Sequence, residues 1–218
     1  MAETQTTLLA EVDRIIQDDS YTEAIQLSFL NQAMQDVAGL VLLDDLETSS
    51  SVTTSTTLSY VAMPSDYQRN LFDCYNSTRS WHIEIKGSFR LLTRMFQQLD
   101  QSGSIQGVAV RGTNLHYQRI PSTAESLTLY YYRPPVDMAS GATEPDGIPQ
   151  HLARPLLVHG ACKGIYGEIE EDIKGNKVNT LYHETEYTKA LGKLIAFVGP
   201  EGRAPIEIQD ELGLESYL

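Results

Sequence analysis

The sequence lacks a surplus of basic residues, and it also lacks long apolar runs. Its 218 residues include 16 Lys or Arg and 29 Asp or Glu, which gives a formal net charge of −13. This balance argues against a general binder of nucleic-acid phosphates, because such proteins need a basic surface. The longest apolar runs, residues 40–43 and 194–198, are far shorter than the roughly 20 residues that cross a bilayer as a helix. We therefore expect no membrane span.

Cysteine is scarce as well. The two cysteines, Cys74 and Cys162, are too far apart for a CxxC redox or metal motif, and such residues are more often small buried hydrophobes. The first residues lack the basic and apolar regions of a secretory signal. We therefore expect a protein that is made and kept in a reducing cytoplasm.

Motifs for catalysis and for cofactor binding are missing. No HExxH zinc motif occurs, since His183 and Glu184 are not followed by a second histidine at the required spacing. No GxSxG turn occurs, and the glycines of residues 103–112 and 199–202 lack the patterns that bind phosphates. We therefore predict no catalytic residue, no cofactor and no metal site. The acidic residues 168–172 are interpreted as a solvated helix face or turn.

Two helices are predicted near the N-terminus, over residues 7–18 and 20–38, because apolar side chains recur there at helical spacing. Ser20 and Glu23 have the spacing of a capping box, which predicts the start of the second helix. Gly39 is expected to be its C-cap, because glycine accepts the left-handed conformation. The apolar stripe of the second helix consists of Ile25, Phe29, Ala33 and Val37.

Two longer helices are predicted near the C-terminus. The first begins with Pro149 in its first turn, a favoured position for proline, and extends to about residue 173. The second covers residues 178–198 and ends at Gly199. Three small residues of the first helix would let another helix approach closely: Gly160, Gly164 and Gly167.

The middle of the chain has the alternating, β-branched pattern of several strands. Such runs cover residues 46–60, 81–86 and 127–132, and one short helix is predicted at residues 89–99. Charge follows the same division, since residues 1–60 carry a net −9, residues 61–140 a net +2 and residues 141–218 a net −6.

Three consecutive tyrosines end the last of these runs. Alternation along a strand places Tyr131 in the core together with Leu127 and Leu129. Tyr130 and Tyr132 then lie on the opposite face, where we predict a contact with a neighbouring subunit.

Three short sequence segments resemble those of a known family. They are FLNQA at residues 29–33, VAMPSDY at residues 61–67, and LYYYRPP at residues 129–135 followed by IPQHL at residues 148–152. Together with the order of the elements, they resemble the head-to-tail connector family of tailed bacteriophages, also called adaptor or head-completion proteins. The resemblance covers about residues 8–198.

The resemblance implies an α+β fold with two regions and a tail. Residues 1–39 and 148–199 would form an antiparallel helical bundle. Residues 40–147 would form an inserted β-rich domain, sandwich- or barrel-like, with one short helix. Residues 200–218 would form an extended C-terminal tail.

The resemblance also implies a structural virion protein rather than an enzyme. Copies of the chain, twelve by the symmetry of the portal, would form a ring under the portal protein at the capsid vertex. This ring would extend the DNA channel and offer a platform to the tail, nozzle or stopper protein. Double-stranded DNA would pass without sequence-specific binding, and an acidic channel wall would repel its phosphates. General solubility is the other interpretation of the acidic surface.

The C-terminal tail combines acidic residues with apolar residues that are too sparse to bury themselves. Segments of this kind become ordered on a partner, so we predict that the tail binds the portal or an adjacent subunit. A tail packed on its own bundle is the alternative. The candidate anchors are Ile206, Ile208, Leu212, Leu214 and Tyr217.

Three other functions stay open from the sequence alone. A tail-side stopper or tail-tube component would share the acidic surface and the oligomeric state. A small cytoplasmic enzyme would need His151 or His159 to converge with Glu168 or Asp172 in one buried cleft. A carbohydrate- or cell-binding β-module is suggested by the Ser- and Thr-rich residues 48–59.

Overall fold

The computed structural model describes residues 2–96, 98–139, 141–171 and 177–199. In this part of the chain the fold is α+β, with five α-helices and two β-sheets. The chain divides into two compact units, a β unit (Leu46–Pro134) and a helical unit formed by the segments on either side of it (Met1–Asp45, Pro135–Leu218). The helices are α1 (Gln5–Ile16), α2 (Glu23–Leu40), α3 (Phe89–Met95), α4 (Gln150–Ile169) and α5 (Val178–Val198).

Helix α4 is the centre of the helical unit, because it packs against α1, α2 and α5. Burial of apolar side chains from all four helices provides the main driving force for this packing. None of the helices in the described residues is long and apolar enough to cross a membrane. The core of the unit includes Leu8, Val12, Leu30, Met34, Val37, Leu156, Leu157, Ala161, Ile165 and Leu194.

Two glycines of α4 allow its neighbours to approach closely. A Cβ atom on Gly160 would lie 2.8 Å from the Cβ of Ala33, and one on Gly164 would lie 2.6 Å from the ring of Phe29. Both distances are too short for real carbon contacts. The predicted close approach is therefore confirmed at these two positions. It is wrong at Gly167, where an added Cβ would meet nothing within 4 Å.

A carboxylate from the end of α4 caps the start of α5. Glu170 Oε1 accepts hydrogen bonds from the backbone N–H and the side-chain amide of Asn179, at 3.2 and 3.0 Å. Its Oε2 accepts from the backbone N–H and the hydroxyl of Thr180, at 3.1 and 2.7 Å. These hydrogen bonds, that of the Thr180 hydroxyl above all, lower the pKa of Glu170. They satisfy N–H groups that the helix itself leaves free, and the bounds of α5 agree with the predicted ones.

The predicted capping of α2 is wrong at both ends. The backbone N–H and hydroxyl of Ser20 donate to Asp18 Oδ1, at 2.9 and 2.7 Å, so that the N-cap of α2 is Thr22. A local turn thus takes the hydroxyl that the capping box would need. Gly39 lies inside α2, and the extended Val41 follows the helix.

The other helix predictions need smaller corrections. Helix α4 starts at Gln150, with Pro149 as its N-cap rather than in its first turn. In α2, Ile25 is 39 % exposed, because the buried face is shifted by one position to Gln26 and Leu30. Helix α3 stops at Met95, since Phe96 adopts an extended conformation and its ring lies over Gly107.

Among its described residues, the β unit contains two four-stranded sheets that are not closed, so the barrel-like alternative is not confirmed. The first has the strand order β1-β8-β3-β4 and is antiparallel throughout, whereas the second, β2-β7-β6-β5, includes the parallel pair β5 and β6. Both sheets contribute to one core, which includes Leu71, Cys74, Val108, Leu115, Tyr117, Leu127, Leu129 and Tyr131. The strands are β1 (Glu47–Thr53), β2 (Tyr60–Ala62), β3 (Arg69–Asn76), β4 (Trp81–His82), β5 (Glu84–Ile85), β6 (Gly107–Arg111), β7 (Asn114–Tyr117) and β8 (Ser126–Tyr132).

Residues 81–86, predicted as one strand, are divided between the two sheets. The backbone N–H of Ile83 donates to Cys74 O of β3 at 2.7 Å, whereas that of Lys86 donates to Val108 O of β6 at 2.7 Å. The chain changes its partner sheet directly after the buried Ile83. Alternation of side chains cannot show such a change, because both short strands keep the same period.

Candidate interaction surface

Strand β8 presents its side chains alternately to the core and to the outer face of the first sheet. Tyr131 is fully buried, which confirms its predicted place in the core, and its hydroxyl donates to Asp66 Oδ1 at 2.5 Å. Burial of the ring raises the pKa of Tyr131 to about 12. On the outer face, Tyr130 is 36 % exposed but Tyr132 is only 6 % exposed. Tyr130 therefore offers far more accessible surface than Tyr132.

An aromatic patch covers this outer face. The Phe72 ring lies 6.3 Å from that of Tyr130 and 5.6 Å from that of Tyr132, and the Tyr75 ring lies 5.1 Å from that of His82. Such distances are typical of aromatic pairs that stabilise one another. We use the name aromatic patch for Phe72, Tyr75, His82, Tyr130 and Tyr132.

Small side chains on β1 leave the aromatic patch accessible. Ser49 lies directly opposite Tyr130 in the ladder between β1 and β8, and Ser51 lies opposite Thr128. A serine is too small to cover a tyrosine ring on the neighbouring strand. Glu47, which is opposite Tyr132, accepts a hydrogen bond from its hydroxyl at 2.6 Å. This bond holds Tyr132 against the sheet.

A buried carboxylate anchors the turn at one end of the patch. Glu125 is fully buried, accepts a hydrogen bond from Asn76 Nδ2 at 2.6 Å, and pairs with the guanidinium of Arg79. The same guanidinium lies 5.7 Å from the centre of the Trp81 ring. The network therefore positions Arg79 in the turn between β3 and β4, and Trp81 at the start of β4. Nothing in the local sequence pairs residue 79 with residue 125, and sequence reasoning missed it.

Polar groups at the rim are also paired. His82 Nδ1 lies 2.9 Å from Asp73 Oδ1, and both side chains are partly or largely exposed. An apolar centre with a polar rim is the usual arrangement of a protein–protein interface. The aromatic patch and the Asp73–His82 pair at its rim have this arrangement.

A model of the family described as SU10 adaptor protein matches residues 4–208 of the chain. The chain belongs to this family of phage adaptor proteins. The match extends across both units, and it confirms the resemblance to head-to-tail adaptors. The family is a structural one and not an enzyme family. A comparison with curated proteins found no match.

The residues of the enzyme alternative do not form one cleft in the described part of this adaptor. His151 lies against the Phe197 ring, whereas His159 Nδ1 lies 2.9 Å from His183 Nδ1. Glu168 instead accepts a hydrogen bond from the Tyr21 hydroxyl at 3.3 Å. Asp172 lies outside the described residues. Among the residues that are described, no group of three or more His, Cys, Asp or Glu could hold a metal ion.

The two cysteines of the adaptor are buried and free, as predicted. Burial raises the pKa of Cys74 and of Cys162 to about 12. A thiol reacts as its thiolate, so both cysteines are unreactive at neutral pH.

The remaining candidate residues of the adaptor are the tail anchors, which lie outside the described residues. These are Ile206, Ile208, Leu212, Leu214 and Tyr217. A further set of exposed apolar side chains, which sequence reasoning did not single out, lies on α5 and consists of Val178, Leu181, Tyr182 and Phe197.

Proposed function

We propose that this adaptor forms a ring on the portal protein at the capsid vertex, extends the DNA channel and carries the tail. The observation that carries the proposal is the family match over residues 4–208. Twelve copies would follow the symmetry of the portal. The adaptor would then act as a component of the virion.

The build of the β unit supports this proposal. A ring requires the same heterologous contact between each copy and the next, and it requires no catalytic centre. The aromatic patch offers exposed rings within a polar rim. We propose that Tyr130 contacts the neighbouring copy and that Tyr132, through Phe72 and Glu47, fixes the surface on which Tyr130 lies.

The charge distribution supports passage of DNA without binding. Residues 1–60 carry a net −9, and residues 141–218 carry a net −6. If these acidic segments face the channel, they repel the phosphates of the duplex and keep it from adhering. The DNA then has no specific site on the adaptor.

Binding to the isolated portal, before any tail protein is present, tests the proposal. The portal protein of the same genome is immobilised, and the full-length adaptor is added with or without the tail proteins. We expect saturable binding to the portal alone. Binding that occurs only through the tail proteins would contradict the proposal and support the stopper or tail-tube alternative.

A further inference from the structure

Strand β1 is the one long edge strand among the residues that the structure describes. It contains seven residues and pairs only with β8, at one end of the order β1-β8-β3-β4. The opposite edge strand β4 has two residues, and the edges of the second sheet, β2 and β5, have three and two. Short edges offer little room for another strand, whereas β1 offers a full one.

The register shows which backbone groups of β1 point away from the sheet. At the two ends of the ladder, Arg133 N–H donates to Leu46 O and Thr54 N–H donates to Glu125 O. Hydrogen-bonded and non-hydrogen-bonded pairs alternate along an antiparallel ladder. The even-numbered residues of β1 therefore bond to β8. The odd-numbered residues direct their N–H and C=O groups outward, and these are Glu47, Ser49, Ser51 and Thr53.

Apart from the exposed Glu47 at its first position, this edge lacks the features that usually prevent a further strand from adding. Strand β1 reads ETSSSVT, without lysine or proline, and its pairing with β8 is continuous over seven residues without a bulge. Natural proteins commonly protect exposed edges with charged residues, prolines or bulges. An edge of this length, with one charged residue at its start, is suited to receive a strand.

We propose that β1 receives residues 205–209 of a neighbouring copy as an added antiparallel strand. This segment reads PIEIQ, so an extended strand would place Ile206 and Ile208 on one face and Glu207 and Gln209 on the other. Such alternation is the pattern of a strand with one buried face. Pro205 favours an extended conformation in the residue before it, which suits the entry of the strand.

The inner face of the first sheet accepts the isoleucines. The even-numbered residues of β1, Thr48, Ser50 and Val52, are half-buried there, and Val52 packs against the core of the β unit. Ile206 and Ile208 beside them extend this core at its edge, and Glu207 and Gln209 stay on the outer face near Ser49 and Ser51. The contact thus combines backbone hydrogen bonds with apolar burial.

A neighbouring copy is the occupant because the inference rests on the proposed ring. Pairing of β1 with β1 of another copy would be isologous and would close a dimer. Pairing of the tail of one copy with β1 of the next is heterologous, and it repeats around a ring. The inference also assigns two of the tail anchors to the adjacent subunit rather than to the portal.

Peptide binding tests the edge independently of any ring. A labelled peptide of residues 202–210 is titrated into the full-length variant I206D/I208D, whose own tail no longer competes, and fluorescence anisotropy is measured. A tethered segment acts at an effective concentration of roughly 1 mM, so the titration extends to about that value. We expect saturable binding. Absence of binding over this range would overturn the inference.

Methylated peptides identify the mode of binding without any change to the protein. In the antiparallel arrangement, the N–H groups of Glu207 and Gln209 point toward β1 and those of Ile206 and Ile208 point away. N-methylation of Glu207 and Gln209 should therefore weaken binding at least tenfold, whereas N-methylation of both isoleucines should leave it nearly unchanged. Equal effects of the two methylations, or no effect of either, would contradict strand addition.

Crosslinking in the assembled ring then identifies the copy that supplies the strand. Copies carrying S51C are mixed with copies carrying Q209C on the portal and are oxidised, and the native cysteines stay unreactive because they are buried. We expect dimers that join one variant to the other, and a control mixture with G192C in place of S51C should give none. A complete ring without such dimers would overturn the inference but not the proposed function. Peptide binding without any ring would overturn the proposed function alone.

Discussion

The two units of the adaptor differ in where they place charged groups. In the helical unit, the ion pairs Arg14–Glu11 and Lys189–Glu186 lie on the surface. In the β unit, Glu125 is fully buried beside Arg79, and the Lys86 side chain is 5 % exposed beside Glu84. A buried charge that loses its partner strongly destabilises a protein. The helical unit buries a carboxylate as well, Glu170, but among the hydrogen-bond donors of α5. The units therefore differ in where these ion pairs lie, and not in whether they bury charge.

The difference extends to the surfaces that would meet other proteins. The helical segments are strongly acidic, whereas residues 61–140 carry a net +2 and include the whole aromatic patch. Acidic surfaces repel one another and DNA, but a nearly neutral aromatic surface can pack closely. We therefore propose that the β unit takes part in the contacts between copies, through the aromatic patch and through β1.

Loss of a buried charge partner should have the largest effect on stability. The change R79M leaves the Glu125 carboxylate buried without its cation, which should lower the free energy of unfolding of the β unit by about 3 kcal/mol. The single tryptophan, Trp81, lies in the β unit, so its fluorescence during urea unfolding follows this loss. The matched variant R14M removes an exposed pair and should cause no measurable change. Similar losses in both variants would contradict the contrast between the units.

The second largest loss of stability should follow from an added methyl group in the helical unit. The change G160A places a Cβ 2.8 Å from that of Ala33, and overpacking of this kind costs about 1–3 kcal/mol. Circular dichroism at the helical band during urea unfolding measures the loss. The control G167A meets open space and should stabilise the helix by roughly 0.5–1 kcal/mol. A stabilising effect of G160A would show that the helices can separate without cost.

In both units, what the sequence could predict depends on how far apart in the chain the interacting residues lie. The helical spacing of residues 178–198 and the alternation of Tyr131 depend on neighbours in sequence, and both were predicted correctly from it. The Arg79–Glu125 pair and the contact of His159 with His183 join residues far apart in the chain. Their partners are set by the tertiary fold, so local patterns cannot indicate them. The capping box predicted for Ser20 failed for the opposite reason. Asp18, only two residues away in the chain, accepts the hydrogen bond of the Ser20 hydroxyl.

The histidine pair should make the helical unit sensitive to acid. His159 and His183 share a hydrogen bond between α4 and α5, with Tyr166 stacked on His183. Burial lowers the pKa of both histidines below the ordinary 6.5. For His159 it does so despite the nearby carboxylates of Glu186 and Glu11, and for His183 the neighbouring His159 lowers the pKa further. The unfolded chain therefore binds protons first, and the free energy of unfolding falls as the pH drops below about 6.5.

Urea unfolding at pH 7.5 and 5.5 measures this sensitivity. The variant H183F should lose less stability between the two values than the wild type does. The variant H151Q, which leaves the pair intact, should behave like the wild type. An unchanged pH dependence in H183F would show that the pair does not cause it.

Replacement of an exposed tyrosine should have the smallest effect on folding and still impair assembly. The change Y130S removes the most accessible tyrosine of the aromatic patch, and surface substitutions usually alter stability by less than about 0.5 kcal/mol. An interface anchor of this kind should weaken ring formation on the portal at least tenfold. The control Y60S changes a tyrosine of similar exposure, 38 %, on the second sheet. Equal ring formation by Y130S and Y60S would show that Tyr130 does not contribute to the interface.

The number of adaptor copies on the portal tests the proposed ring most directly. Native mass spectrometry of the full-length adaptor, first alone and then with an excess over the assembled portal of the same genome, gives this number. We expect a single complex in which each portal ring carries twelve adaptor copies. Portal rings that stay free, or that carry a variable number of copies despite the excess, would contradict the ring.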